Sequence, residues 1–287
     1  NIDNFVANIW PLTIVSSCIR LVSKKTKLLF IEHCNLSEEF RNRSFIFRFA
    51  QNTSIMLFYS FAHEVIAVSA GVKEDLEKKG VKKSKVSVIY NPLEDLKGSK
   101  KMESTKNIEK WINSKDKKLI SVGELKKQKN FPNLIKAIGV FQKKYSVKLK
   151  LLILGDGPER KNIEEEITKQ ELEEIFFLPG WVNDPVPYLY LADLFVLPSD
   201  YEGFGVVITE ALSTGLNVVS TNCKSGPSEI LKDGELGYLC EVNDPDDLAK
   251  SINEALNNPL DKDKLIARAY DFSIENIGKL YEEKLNF

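Results

Sequence analysis

The chain has 287 residues, of which 43% are hydrophobic and 28% charged, a balance typical of a globular protein that excludes intrinsic disorder. Its formal net charge is −1, but residues 1–100 carry 15 Lys or Arg against 10 Asp or Glu, and residues 101–287 carry 25 against 31. A basic first third is compatible with contact with an anionic membrane or another anionic partner, and equally with an ordinary solvated surface.

Targeting and membrane segments are not evident in the sequence. The residues before Asn8 lack the basic and apolar regions of a signal peptide. The most apolar stretch, from Ser44 onward, is interrupted by Arg48 and two amide side chains, which predicts a core helix, with an interfacial helix as the alternative. The chain begins with Asn1 rather than Met, so we expect a fragment. The four cysteines are widely spaced and are predicted to be reduced packing residues of a cytoplasmic protein; they are Cys18, Cys34, Cys223 and Cys240.

In chain order, the first 95 residues alternate short apolar runs with helical patterns. The runs KLLFIEH, EVIAVS and KVSVIYNP predict strands, and the segments between them predict helices. This order is typical of a parallel sheet covered by helices, so residues 1–95 form a first, incomplete α/β domain. His63 is predicted to be a packed core residue. The polar, lysine-rich residues 96–116 predict a linker with a short helix around Trp111.

A second α/β alternation occupies residues 117–271. Its predicted strands are KLISVG, LLILGDG, IFFLPGW, DLFVLPS, NVVST and GYLC. The fold class is therefore α/β with two doubly wound domains, which leave a cleft between their strand ends. Residues 272–287 predict one more amphipathic helix.

One strand-to-helix junction of the second domain carries two carboxylates around a glycine turn, in the segment PSDYEGFGVVITEAL at residues 198–212. In a parallel sheet such a turn lies at the carboxyl edge, where ligands bind and the next helix offers free N–H groups. Gly203 and Gly205 let a ligand approach the backbone closely, and Glu210 can accept hydrogen bonds from vicinal sugar hydroxyls. The segment therefore predicts a ligand rich in hydroxyl groups and phosphate.

Five ordered motifs resemble those of a known family: KLISVGELKKQKNFPNLIKAI, LLILGDGPE, LPGWVND, LFVLPSDYEGFGVVITEAL and STNCKSGPSEIL. They resemble the nucleotide-sugar-binding domain of the retaining glycosyltransferases of family 4, which have the two-domain fold called GT-B. The resemblance covers residues 118–287 well and is weaker before them. The last motif most resembles bacterial enzymes that assemble lipid-linked oligosaccharides and surface polysaccharides.

The resemblance implies an enzyme that transfers a hexose or N-acetylhexosamine with retention of configuration. The donor would be a nucleoside-diphosphate sugar, UDP rather than GDP, and the acceptor a saccharide or lipid-linked hydroxyl. It implies neither a cofactor nor a metal, and no nucleic-acid partner. The enzyme would work in the cytoplasm, at the inner face of the membrane if its basic first domain contacts lipid. We also expect the helix at residues 272–287 to pack back on the first domain.

Position by position, the resemblance implies three catalytic candidates. Glu202 would bind hydroxyls of the donor sugar, Lys129 would stabilise the pyrophosphate leaving group, and His33 would face the sugar at the reacting centre. Glu210 would bind the ribose. Backbone N–H groups facing the donor are implied at Phe204, Gly205 and Val206.

Other donor contacts are implied around two further loops. Gly123 precedes the residue at which the family usually has arginine, and here that residue is Glu124. Gly155 and Gly157 flank Asp156 in a turn beside the nucleotide. The loop that would meet the base is formed by Trp181, Val182 and Asn183, with a packed Trp181 as the alternative reading.

Two departures from the family's pattern leave alternatives open. A carboxylate at Glu124 would repel a pyrophosphate, which an arginine grips. Either Glu124 points away, or Lys129 with the helix dipole and backbone binds the pyrophosphate, or the donor binds poorly. The family's first strand and glycine-rich loop are missing, so either the sequence omits them or another chain supplies them. A non-catalytic nucleotide-sugar-binding subunit and a GT-B sugar epimerase are the rival functions.

Overall fold

The computed structural model describes residues 3–94 and 102–285, which form two parallel sheets with helices packed around them. The strands are β1 (Asn4–Asn8), β2 (Lys27–Glu32), β3 (Glu64–Ala67), β4 (Val86–Val88), β5 (Lys117–Val122), β6 (Leu149–Leu154), β7 (Phe176–Gly180), β8 (Leu194–Leu197), β9 (Val218–Thr221) and β10 (Tyr238–Cys240). The α-helices are α1 (Leu12–Ser16), α2 (Ile19–Val22), α3 (Leu36–Glu39), α4 (Phe45–Phe58), α5 (Ala70–Lys78), α6 (Lys106–Ile112), α7 (Phe131–Lys144), α8 (Arg160–Lys169), α9 (Val186–Leu189), α10 (Val206–Ser213), α11 (Pro227–Ile230), α12 (Pro245–Asn257), α13 (Lys262–Tyr270) and α14 (Ile274–Leu285).

The first sheet has the order β1-β2-β3-β4, with all strands parallel. Leu28, Leu29 and Phe30 of β2 are all buried, because helices cover both faces of a parallel sheet and make its strands continuously apolar. The sequence did not predict β1, which pairs with β2 along its whole length. Its five residues, NFVAN, are bounded by asparagines and leave Val6 exposed, so they lack the apolar run that marks a buried strand.

The second sheet has the order β10-β9-β8-β5-β6-β7. Strands β6 and β7 follow β5 in one direction, and β8, β9 and β10 extend from it in the other, so the order reverses between β5 and β8. In open parallel sheets the crevice outside the carboxyl ends of such a strand pair is where ligands bind. The loops after β5 and β8 therefore face each other across the expected binding site.

The segment predicted as a linker is partly a packed helix. Trp111 of α6 is fully buried, and its Nε1 donates to the carbonyl oxygens of Leu119 and Lys150, both at 3.2 Å. A large aromatic side chain with a satisfied N–H anchors α6 to the second sheet, and α6 agrees with the short helix predicted around Trp111. Residues 95–101 lie outside the described part of the chain.

The last helix lies against the first domain. Lys284 of α14 pairs with Glu64 of β3 at 2.8 Å, and Asn4 of β1 donates to the carbonyl oxygen of Leu285 at 3.4 Å. The chain thus crosses to the second domain and returns, so α14 contributes to holding the two sheets together.

Two predictions of buried side chains were wrong. His63 is exposed, because it follows the apolar helix and lies just before β3, at the amino-terminal end of the sheet. Its Nδ1 accepts a hydrogen bond from the Leu28 N–H at 3.0 Å. Cys18 is also exposed, whereas Cys223 and Cys240 are buried and no described cysteine is in a disulfide.

Helix α4 is not the core helix that its composition predicted. It buries Gln51 and Ile55, while Phe45, Ile46 and Phe49 are exposed to 75%, 80% and 64%. The apolar residues surround the helix, so burying one face leaves the others in solvent. Within residues 3–94 and 102–285, no helix combines the length and apolar character needed to cross a bilayer.

Candidate active site

The loops after β5 and β8 are tied together at the point where the strand order reverses. The Asp200 N–H donates to the carbonyl oxygen of Gln128 at 2.8 Å, and the Gln128 side chain donates to the carbonyl oxygen of Tyr201 at 2.8 Å. Asn130 adds a hydrogen bond to the Asp200 carboxylate at 2.6 Å. These contacts hold Lys129, in the first loop, opposite Glu202, which follows Tyr201 in the second.

Lys129 and Glu202 form a buried ion pair. Lys129 Nζ lies 2.7 Å from Glu202 Oε1, with 12% and 8% of their side chains exposed. Ser199 donates to the same oxygen at 2.6 Å. A Cβ at Gly123 would lie 3.2 Å from Lys129 Cε, so the glycine leaves room for the alkyl chain. The site presents a cation beside a carboxylate at the mouth of the crevice, a combination suited to a ligand with phosphate and hydroxyl groups.

The glycine turn after β8 brings the first domain into contact with the second. A Cβ at Gly203 would overlap the carbonyl oxygen of His33, so only glycine fits there. Gly205 has a φ of 100°, the left-handed region that favours glycine. Phe204 between them is buried and stacks on Tyr90 with ring centroids 5.4 Å apart. Phe204 can therefore meet a ligand only through its backbone.

Helix α10 starts directly after this turn without a side-chain cap. Its N-cap residue, Gly205, has no side chain to accept from the N–H groups of the first turn. These groups, including that of Val206, carry the positive end of the helix dipole. The start of α10 thus offers donors for an anion beside Lys129.

The first domain contributes His33 to the crevice, directly after β2. Its Nε2 lies 3.3 Å from Asn8 Oδ1, and its carbonyl oxygen faces Gly203. Burial lowers the pKa of His33, so the imidazole is neutral at pH 7. The strand β2 therefore places an uncharged histidine next to the turn that carries Glu202.

Glu210 lies on α10, one turn beyond the start of the helix. Burial, reinforced by the charges of Asp184 and Glu94, raises the pKa of its carboxyl to about 7. Within the described residues no cation and no hydrogen-bond donor compensates this carboxylate. Hydrogen bonds from the hydroxyl groups of a ligand would stabilise the ionised form of this carboxylate.

Glu32, next to His33, is a further buried carboxylate that the sequence did not predict. One oxygen accepts from the Tyr59 hydroxyl at 2.8 Å and the Trp10 N–H at 3.2 Å, and the other has no partner. Burial raises the pKa of Glu32 to about 7. No local pattern marks it, because its partners are distant in the sequence: Trp10 lies before α1 and Tyr59 follows α4.

The raised pKa of Glu32 predicts a pH-dependent stability. Its usual value is 4.5, so the folded protein holds a proton that the unfolded chain releases between pH 4.5 and about 7. The contribution is therefore present below pH 4.5 and is lost as the pH rises through about 7, by at most about 3 kcal/mol. Urea unfolding at pH 5 and pH 8 measures this loss. Glu32→Gln should reduce it, and an equal loss in the variant would show that Glu32 is not its source.

The glycines after β6 pack backbone against backbone. Gly155 has a φ of 143°, and a Cβ there would overlap the carbonyl oxygen of Gly123. A Cβ at Gly157 would lie 2.6 Å from the carbonyl oxygen of Leu125. The turn around Asp156 thus supports the loop that carries Lys129 from behind, since the Leu125 N–H donates to the Asp156 carbonyl at 2.9 Å.

The loop of Trp181, Val182 and Asn183 lies after β7. The indole of Trp181 is 71% exposed, so the alternative reading of a packed tryptophan was wrong. Val182 is buried, and Asn183 donates to the Glu103 carboxylate from its backbone and side chain at 3.0 and 2.9 Å. The loop is anchored, while its tryptophan is free to contact a ligand.

Glu124, at the position of the family's arginine, lies at the surface and is not part of the ion pair of Lys129 and Glu202. Its side chain is 56% exposed and pairs with Lys126 at 3.3 Å. We predict that Glu124→Arg changes UDP affinity by less than about fivefold, because exposed charges contribute at most about 1 kcal/mol. Isothermal titration with UDP measures this, and tightening of tenfold or more would place the carboxylate beside the pyrophosphate.

The fold is that of the GT-B glycosyltransferases, which confirms the predicted fold class and family resemblance. The chain belongs to the family described as glycosyl transferases group 1, whose model matches residues 103–272, and the model of glycosyltransferase family 4 matches residues 5–95.

Individual relatives agree with this assignment. The 4-alpha-N-acetylgalactosaminyltransferase of Campylobacter jejuni that acts on N-acetylgalactosamine-N,N'-diacetylbacillosaminyl-diphospho-undecaprenol is 32% identical over 92% of this chain and 68% of its own length. The lipopolysaccharide core biosynthesis glycosyltransferase LpsE of Rhizobium meliloti is 31% identical over 58% of this chain. The matched part is about half (49%) of the length of LpsE. The crystal structure of HepE from Anabaena with UDP has a TM-score of 0.80 at 21% identity, covering 99% of this chain and 78% of that one.

Proposed function

We propose that the chain is a retaining glycosyltransferase that transfers a hexose or N-acetylhexosamine from a UDP-sugar to a saccharide or lipid-linked hydroxyl. The observation that carries this proposal is the buried pair of Lys129 and Glu202 beside the uncapped start of α10, with Glu210 one turn further along the same helix. The cation and the N–H donors match the pyrophosphate of such a donor, and the two carboxylates match its sugar and its ribose.

In this mechanism the residues act on a donor lying along α10. The N–H groups of the first turn and Lys129 stabilise the charge that develops on the diphosphate as the bond from the sugar C1 to the phosphate oxygen breaks. Glu202 holds sugar hydroxyls, and Glu210 holds the ribose. The acceptor oxygen bonds to C1 on the same face, and its proton passes to the leaving phosphate oxygen. His33, neutral at pH 7, lies at the first-domain side of this centre.

This charge arrangement requires no metal, because a lysine and a helix start can carry the diphosphate. We predict that turnover with a UDP-sugar stays within about twofold in the presence of excess EDTA. A turnover assay with and without chelator measures this, and loss of activity that manganese restores would contradict it.

The first domain is proposed to contact the membrane, where a lipid-linked acceptor would be found. Helix α4 exposes Phe45, Ile46, Phe49, Met56 and Leu57. The basic residues on and beside it are Arg41, Arg43 and Arg48. A helix with exposed apolar side chains and neighbouring arginines suits the surface of an anionic bilayer. Cosedimentation with anionic vesicles, lost in Phe45→Ser with Phe49→Ser, would support this contact, and unchanged sedimentation of the variant would refute it.

A panel of nucleotide sugars tests the proposed activity. Released UDP identifies the donor, and proton NMR of the product gives the anomeric configuration. An α-linked product from an α-linked donor supports retention, whereas an inverted product refutes it. UDP binding without transfer to any saccharide or lipid-linked acceptor would assign the chain to the non-catalytic nucleotide-sugar-binding proteins.

A further inference from the structure

The segment NCKSGPSEIL reaches across the cleft to the first domain. Glu229 of α11 accepts hydrogen bonds from the Ala70 N–H at 2.7 Å and the Gly71 N–H at 3.0 Å. These are the first two N–H groups of α5, while Ser69 accepts from the third, that of Val72, at 3.1 Å. A carboxylate of the second domain therefore caps a helix of the first, where the positive end of the helix dipole favours negative charge.

Close packing surrounds this cap. Asn35 of the first domain donates to the Ser225 hydroxyl at 3.0 Å. A Cβ at Gly71 would lie 2.5 Å from Ser225 Oγ and 2.8 Å from Ser225 Cα. Gly71 is not in the left-handed region, so α5 itself does not require glycine at this position. A side chain at position 71 is therefore excluded only by Ser225 of the second domain.

The same segment is packed against the donor site. Gly226 adjoins the carbonyl oxygen of Phe204 so closely that a Cβ would overlap it, and Gly203 adjoins the carbonyl oxygen of His33 in the same way. Movement of the first domain away from Glu229 would thus also draw His33 away from the turn that carries Glu202. The cap and the approach of His33 belong to one closed arrangement.

We propose that Glu229 is a positioning residue whose carboxylate latches the two domains in the closed arrangement, by capping α5, while Gly71 provides the space for closure. This inference rests on the proposed function, because the latch acts on the donor site described above. Glu229 contacts neither Lys129 nor Glu202, so it affects turnover only through the position of the first domain.

The glycine offers a sharp test, since alanine favours the helix but blocks the contact. Gly71→Ala gains helix propensity within α5 and inserts a methyl group against Ser225. Gly278→Ala is the matched control, because a Cβ there meets nothing within 4 Å on α14. Glu229→Gln keeps the shape of the cap but removes its charge.

The measurements are steady-state kinetics with a UDP-sugar, hydrogen exchange of the Ala70 amide, and UDP titration. We expect kcat to fall roughly tenfold to a hundredfold in Gly71→Ala and Glu229→Gln, the range for losing hydrogen bonds to a charged group. Exchange at residue 70 should accelerate by a similar factor, while UDP affinity and the donor KM change less than about threefold. Gly278→Ala should match the wild type.

Each contrary result has a distinct meaning. Unchanged kcat and exchange in both variants would overturn the latch while leaving the proposed function intact. An equal loss of UDP affinity and kcat would also overturn it, because Glu229 would then act on the donor site directly. Failure of the wild type to bind UDP would instead refute the proposed function. Should Gly71→Ala fold poorly, Glu229→Gln alone decides.

Discussion

Lys129→Met is expected to lower kcat/KM for a UDP-sugar by about a hundredfold to a thousandfold. The substitution removes the cation that lies 2.7 Å from Glu202 and faces the proposed diphosphate. Loss of one group that stabilises transition-state charge has a cost of this size. Breaking a buried pair also leaves Glu202 as an uncompensated charge, which adds to the loss. Methionine preserves the apolar stem, so packing against Gly123 is retained.

A neighbouring lysine provides the control for this experiment. Lys126 belongs to the same loop, but it pairs with the exposed Glu124. Lys126→Met should therefore stay within about threefold of the wild type, since exposed ion pairs contribute little. A loss below tenfold in Lys129→Met, or equal losses in the two variants, would remove Lys129 from the catalytic centre.

Gly203→Ala is expected to reduce kcat by at least about a hundredfold. Its Cβ would overlap the carbonyl oxygen of His33, a backbone atom of the other domain that cannot rotate aside. The loops must separate, and misplacement of reacting groups by about 1 Å can cost a factor of a hundred. Steady-state kinetics beside circular dichroism measures the effect on a folded variant.

The outcome of Gly203→Ala shows whether the contact with His33 matters, as opposed to the change of a glycine to alanine in itself. Gly278→Ala, which meets open space, should retain full activity. Wild-type turnover in Gly203→Ala would show that the contact between His33 and Gly203 is absent in the active protein. That result would also contradict the closed arrangement on which the proposed mechanism depends.

The sequence predicted much of the second domain because its strands are buried on both faces. Runs such as LLILGDG and DLFVLPS are continuous in apolar residues, which is the pattern of a parallel sheet between helices. The short strand β1 lacks such a run and was missed. The exposed faces of α4 were predicted to be buried, because composition alone does not show how much of a helix its neighbours cover.

The candidate site was predicted from motifs, but its geometry was not. Lys129 and Glu202 are 73 positions apart and meet because β5 and β8 are neighbours in the sheet. Hydrophobic patterns do not reveal strand order, so the supporting contacts of Gln128 and Ser199 could not be predicted. The buried Glu32 was not predicted for the same reason, since the groups that bind one of its oxygens are distant in the sequence. Its other oxygen has no partner.

Calorimetric titration of UDP into the wild type and Glu210→Ala tests whether the crevice binds a nucleoside diphosphate with its ribose at Glu210. Losing hydrogen bonds to this carboxylate should weaken UDP binding by roughly 1.5 to 3 kcal/mol, or about tenfold to a hundredfold. The exposed Glu235→Ala is the control and should leave the affinity unchanged. Equal UDP affinity in Glu210→Ala and the wild type, or no binding to either, would contradict the assignment of this crevice as the donor site.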